Sequence, residues 1–200
     1  MPPRRRPALG VALVVLGALL TVAPTTAIAR ERAGNHCVNL GGDDLNAIFG
    51  TTDAIVAPFC TEVGVGDRWR AALRLNVAGA DRVFPAGYEP SRPHLDDDFL
   101  VKFVSMTYVI DAGTRRERVL AFPTSRLVLR TGALPDGTRF IGWVSPRFSP
   151  LPPGDHTVDQ YVTLSDDFWD GLGRDPVINS IPDGQSFAAS FTFRVVDQRP

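Results

Sequence analysis

Two stretches of this chain alternate apolar and polar residues with a period of two. That pattern restricts them to strands with one buried face and one wet face. In the first, Trp69, Ala71, Leu73, Leu75 and Val77 alternate with Arg70, Ala72, Arg74 and Asn76. In the second, Phe187, Ala189, Phe191, Phe193 and Val195 share one face, and Ser186, Ser190, Thr192 and Arg194 take the other. Further strand candidates lie between them. Residues 99–110 (FLVKFVSMTYVI) are apolar on both faces at several positions and read as a central strand. Residues 118–122 and 126–130 are shorter strands separated by Pro123, 140–144 follow the turn Pro135-Asp136-Gly137, and 156–164 complete the set. The proline-dense run 146–154 reads as a stiff connection between strands. Short strands joined by Gly/Pro turns, without a long helical period, predict an all-β fold. The expected architecture is an antiparallel β-sandwich, immunoglobulin-like, with a short disulfide-bonded N-terminal segment.

That N-terminal segment, residues 30–66, reads as an irregular leader. Asp44 can cap a short helix over Leu45-Asn46-Ala47-Ile48-Phe49, and Gly50 can end it. Ala54 to Phe59 is a short strand broken by Pro58. Cys37 and Cys60 are the only cysteines, and their separation suits neither a CxxC redox pair nor a metal site. They are expected to form one disulfide that pins the leader to itself.

The first 29 residues read as an export signal. Arg4, Arg5 and Arg6 form a basic n-region, an apolar run follows from Ala8 to Leu20, and Ala27-Ile28-Ala29 supplies an A-x-A cleavage pattern. The apolar run is shorter than the roughly 20 residues a membrane span needs. Cleavage near Ala29 and a secreted or extracytoplasmic location are therefore expected, with membrane contact only through this segment where it is retained. Residues 30–200 then form a single domain, long enough to bury a real core. They carry 18 basic and 22 acidic residues, a net charge of −4. No basic stripe stands out, which argues against a nucleic-acid partner.

The catalytic signals are sparse. No G-x-S-x-G elbow and no H-E-x-x-H spacing occurs, and oxidised cysteines cannot serve as nucleophiles. Leu151-Pro152-Pro153-Gly154-Asp155-His156-Thr157-Val158 follows the L-x-P-G-x-[HY]-x-V pattern found where immunoglobulin-like sandwiches begin a strand. The expected role of His156 is a hydrogen bond to backbone at that corner. Asp96, Asp97 and Asp98 form a carboxylate cluster that would suit Ca²⁺, a hard ion that prefers oxygen ligands. Asp166, Asp167 and Asp170 form a second acidic loop with Phe168 and Trp169, an aromatic pair suited to a sugar or a protein partner.

The segments Leu45 to Gly50, Asp98 to Phe103, Leu151 to Val158 and Asp170 to Gly173 are similar to those of uncharacterised exported proteins of actinobacteria. The resemblance implies secretion and a β-rich fold. Such relatives can carry a cysteine pair near the positions of Trp169 and Ser180, which this chain lacks. No activity comes with the resemblance. The expected function is a non-catalytic binding or interaction module of the cell envelope or extracellular space. Its partner would be an extracellular or envelope protein or a glycan. Two alternatives stand beside it: a secreted hydrolase with a dispersed site near His94 and His156, and a Ca²⁺-stabilised adhesin-like module.

Overall fold

The computed structural model describes residues 36–39 and 41–197. The expected signal peptide, 1–29, lies outside the described residues, as do positions 30–35 of the leader. In chain order the elements are α1 (Leu45–Phe49), β1 (Ala54–Val56), β2 (Glu62–Gly64), β3 (Trp69–Val77), α2 (Leu95–Lys102), β4 (Phe103–Ile110), β5 (Arg118–Pro123), β6 (Val128–Ala133), β7 (Arg139–Val144), β8 (Gly154–Leu164), β9 (Phe168–Trp169), α3 (Pro176–Asn179), β10 (Ser180–Ile181) and β11 (Gly184–Val196). The fold is mostly β, and its sheets are mixed. One sheet has four strands in the order β1-β3-β7-β6, the other has five in the order β2-β11-β8-β4-β5, and β9 pairs with β10.

The leader, expected to be irregular, is more regular than its sequence suggested. Its strands become one edge of each large sheet, where β1 runs parallel to β3 and β2 runs parallel to β11. The Ala57–Cys60 turn reverses the chain between β1 and β2. A second reversal before β3 restores the first direction, so β1 and β3 meet in parallel. The short helix forms where expected. Asp44 accepts hydrogen bonds from the Asn46 and Ala47 amides, and Gly50 ends the helix in the left-handed region at φ 63°. Asn46 is buried and holds the leader together. Its Oδ1 accepts from the Cys37 amide, and its Nδ2 donates to the carbonyls of Thr51 and Asp53. Cys37 and Cys60 form the expected disulfide.

Two strand expectations need correction. Residues 99–102 do not begin a central strand; they complete the helix α2, and β4 starts at Phe103. Three aspartates in the first turn and Lys102 in the last complement the helix dipole. Leu95 and Phe99, one helical turn apart, share its buried face. The second correction concerns Phe187, which is 61% exposed. The β8–β11 register shifts between Phe187 and Ala189, so the side chains on either side of Ala188 exchange faces. Phe191, Phe193 and Val195 face the core as expected, whereas Phe187 packs edge-on against Tyr161 on the outer face.

Both large sheets contribute to one core cluster. Trp69 of β3 meets Phe193 of β11 at 4.8 Å between ring centroids. Phe99 of α2 contacts Trp143 and Phe168. The Trp69 indole donates to the Ser149 carbonyl. Gln160, opposite Tyr108 in the ladder, is fully buried, and its amide has no hydrogen-bond partner among the described residues.

Two stability measurements follow from this packing. Replacing both cysteines by alanine releases a loop of about 24 residues and is expected to cost about 3 kcal/mol in urea unfolding. Gln160→Met exchanges an unpaired buried amide for an apolar side chain of similar length, and is expected to be neutral or stabilising by about 1 kcal/mol. A clear loss of stability would show that the amide is paired.

Candidate functional site

The two acidic segments, separate in sequence, converge on the one lysine of the chain. The Lys102 side chain is 5% exposed, and its Nζ lies 3.0 Å from Asp98 Oδ2. The same ammonium donates to the Asp167 carbonyl at 2.7 Å and to the Tyr88 hydroxyl at 3.3 Å, and Asp166 Oδ2 is 3.9 Å away. The other oxygen of Asp98 accepts from the amide and hydroxyl of Ser91. Burial raises the Asp98 carboxyl, but the bonds from Ser91 and Lys102 outweigh it and hold the pKa below the ordinary value. Burial likewise lowers Lys102, yet Asp98 and Tyr88 keep it above its ordinary value. Helix geometry makes the pair: Asp98 and Lys102 are four residues apart on α2.

The rest of the predicted set serves the same end of the fold. Asp96 is buried in a two-pronged contact with Arg139 of β7, at 2.8 and 2.5 Å. Burial raises its carboxyl, and Arg139 more than offsets this and lowers it. Asp97 is exposed. Phe168 is fully buried on Phe99, and Trp169 is half-buried, its amide donating to the Tyr88 hydroxyl. Asp166 and Asp167 expose their side chains. Asp170 is buried and accepts from the Leu172 amide and the Asn179 side chain. Burial raises its pKa, and these bonds only partly offset the rise. No group of three or more His, Cys, Asp or Glu converges as a metal site among the described residues. Asp96 faces a guanidinium and Asp98 an ammonium, so the three aspartates do not turn toward one point.

His156 occupies the corner expected of it, with Nε2 2.9 Å from the Pro152 carbonyl. Nδ1 lies 2.8 Å from Asp111 Oδ2, and the ring is buried. A carbonyl only accepts hydrogen bonds, so Nε2 carries a proton and has no lone pair with which to activate a nucleophile. His94 precedes α2 at the Phe103 end of β4, whereas Asp111 and His156 lie past Ile110 at the other end. The structure therefore does not bring the two histidines together.

A feature absent from the sequence reading lies on the outer face of the four-stranded sheet. Arg74 of β3 and Arg130 of β6 both pair with Gly142 on the strand between them. All three point to one face, and the arginine Cα atoms are roughly 10 Å apart, two strand spacings. The leader covers the neighbouring row, Ala72, Val144 and Val128, with Phe49, and the Phe49 ring reaches over Gly142. What remains between leader and sheet is a trough of about 510 Å³, apolar for most of its lining, with Ile48 and Phe59 at its lip. Arg130 is partly engaged, donating to the carbonyls of Ile48 and Leu129. Arg74 lies 5.8 Å over the Phe140 ring and has no carboxylate partner among the described residues. The volume falls within the ~300–1,000 Å³ typical of small-molecule sites. Compared with known proteins, the chain matches no family model, no curated protein and no solved structure.

The Lys102 cluster makes its own predictions. Lys102→Met strands the Asp98 carboxylate and is expected to cost about 3–5 kcal/mol. Asp170→Asn removes a charge that burial disfavours and is expected to be neutral or stabilising at pH 7. The lowered Asp96 and Asp98 contribute stability above about pH 4, lost as pH falls through their folded values. The raised Lys102 contributes below about pH 10.4, and loses that contribution as pH rises past its folded value. Melting temperature against pH is thus expected to fall below the acid limit and above the alkaline one, and Lys102→Met is expected to reduce the alkaline fall without abolishing it, because Tyr88 and Tyr108, both raised by burial, contribute to it as well.

Proposed function

We propose that this chain is a non-catalytic exported protein, a binding module of the cell envelope or extracellular space on an immunoglobulin-like β-sandwich. Its ligand is taken in the trough beside Gly142. The observation that carries this reading is the contrast between engaged and free groups. Asp96, Asp98, Lys102, Asp111 and His156 are consumed in buried ion pairs and hydrogen bonds. The trough instead combines an open apolar surface with the uncommitted guanidinium of Arg74. The disulfide fits an oxidising, extracytoplasmic compartment, and no helix among the described residues is long and apolar enough to cross a membrane. The sandwich reading rests on the shared core of the two sheets and on the His156 corner.

The test is thermal unfolding of the 30–200 chain, which contains the whole compact unit Arg32–Pro200. The panel holds Ca²⁺, Zn²⁺, EDTA, envelope glycans and apolar anions. A ligand at a hundred times its Kd adds about 2.7 kcal/mol, a rise of roughly 5–10 °C. The expected result is a rise with one apolar class that Ile48→Glu, at the lip of the trough, abolishes. A rise with Ca²⁺ reversed by EDTA would favour the adhesin-like module. Turnover of a generic ester or peptide that is lost in His156→Gln would favour a hydrolase.

A further inference from the structure

We infer that the trough beside Gly142 binds a single-chain amphiphile carrying one carboxylate, with the apolar chain along the trough and the head on Arg74. This rests on the proposed binding role and names the ligand class. Three observations define that class. First, the lining is apolar along most of its length, contributed by Leu45, Ile48 and Phe49 of α1, Phe59 of the Ala57–Cys60 turn, and Leu134 after β6. A chain laid there removes apolar surface from water on both sides.

Second, the Phe140 ring of the lining is not free to stack on a sugar or a planar ring, Phe49 is buried, and among the described lining residues only Phe59, at the lip, is an exposed ring. Phe140 lies so close over Gly132 that a Cβ there would come within 2.6 Å of its ring. Arg74 covers the ring from 5.8 Å. Sugar sites need an exposed ring face and several polar groups around it. A flexible aliphatic body needs neither.

Third, the charges on the described lining, Arg74, Arg130 and Asp43, sum to +1, and only one of the two guanidiniums keeps its donors free. Arg130 spends Nε on the Ile48 carbonyl and Nη1 on Leu129, so it anchors the C-terminal turn of α1 to β6. Arg74 keeps its donors, and its guanidinium suits a carboxylate. Asp43, the one acidic residue among the described residues of the lining, is held by the Asn39 amide at 2.9 Å. One free guanidinium matches a head of charge −1 better than a phosphate monoester of charge near −2.

The test is titration calorimetry of the 30–200 chain below micellar concentrations with dodecanoate, dodecanol, dodecyl phosphate and dodecyltrimethylammonium. The expected order places dodecanoate first, with the alcohol and the cation at least about tenfold weaker, the worth of one charge-assisted hydrogen bond. Arg74→Gln is expected to weaken dodecanoate by about tenfold and leave dodecanol unchanged. Ile48→Glu, an exposed position that folding tolerates, is expected to weaken both. Arg194→Gln, on the other sheet, is the charge control and is expected to change neither.

Equal binding of dodecanol and dodecanoate, both lost in Ile48→Glu, would overturn the carboxylate assignment while leaving the trough as the binding site. A tenfold preference for dodecyl phosphate would do the same. Failure of every probe to bind, or binding unaffected by Arg74→Gln and Ile48→Glu alike, would overturn the inference and remove the trough from the binding role. A dimer in sedimentation equilibrium that Ile48→Glu dissociates would give the trough to a second copy of the chain, and would also overturn it.

Discussion

A buried ammonium needs compensation from every direction, and that requirement organises one whole end of this protein. Lys102 has its charge met by Asp98 on its own helix, by the Asp167 carbonyl on the β8–β9 connection and by the Tyr88 hydroxyl from the segment before α2. Each partner belongs to a different stretch of chain. None can withdraw without leaving charge uncompensated in a region of low dielectric. Tyr88 passes the constraint on, because the Trp169 amide donates to its hydroxyl. Asp98 passes it on to the Ser91 turn. The helix is thereby held with Leu95 and Phe99 against the core, and Phe168 closes over Phe99.

The same logic recurs on a smaller scale around Asp53, which receives guanidinium contacts from Arg70 at 2.7 Å and from Arg147 at 2.9 Å. Burial raises this carboxyl, and the two arginines more than offset it and lower it. The contact fastens the start of β1 to β3 and to the segment after β7. With the disulfide and the buried Asn46, it explains how an irregular leader becomes an edge of both sheets. It also leaves the leader standing over only part of the outer face, which is what creates the trough.

Charged groups in this fold therefore divide into two kinds. Those facing inward are satisfied by named partners and hold elements together, and His156 with Asp111 belongs here although the pair looks catalytic in isolation. The carbonyl at Nε2 decides the matter, because it occupies the place a nucleophile would need. Arg74, beside Gly142, is of the other kind, since the strand next to it offers no side chain at that position. A glycine on a central strand, flanked on both ladders by arginine, leaves room for the Phe49 ring beside positive charge.

Much of the fold could be read from residue order alone, because its cause is local. Alternation in β3 and in the second half of β11, the Asp44 and Gly50 caps, the cysteine pair and the His156 corner are all set by neighbours within a few positions. The failures were also physical. Residues 99–102 are apolar enough for a strand, and only the four-residue spacings Leu95–Phe99 and Asp98–Lys102 mark the helix. Phe187 keeps the period of its strand but not its face, since a bulge at Ala188 is a property of the pairing with β8 and leaves no trace in the alternation. Lys102 was passed over, although a lone lysine one turn after an aspartate was a usable signal. Residue order alone determined the β-rich class, the disulfide chemistry and the acidic clusters. Tertiary structure alone decided that those clusters would close around one ammonium, and that Arg74, Gly142 and Arg130, drawn from three strands distant in sequence, would share a face, because register between strands is settled by the packing of the whole sheet and not by any one segment.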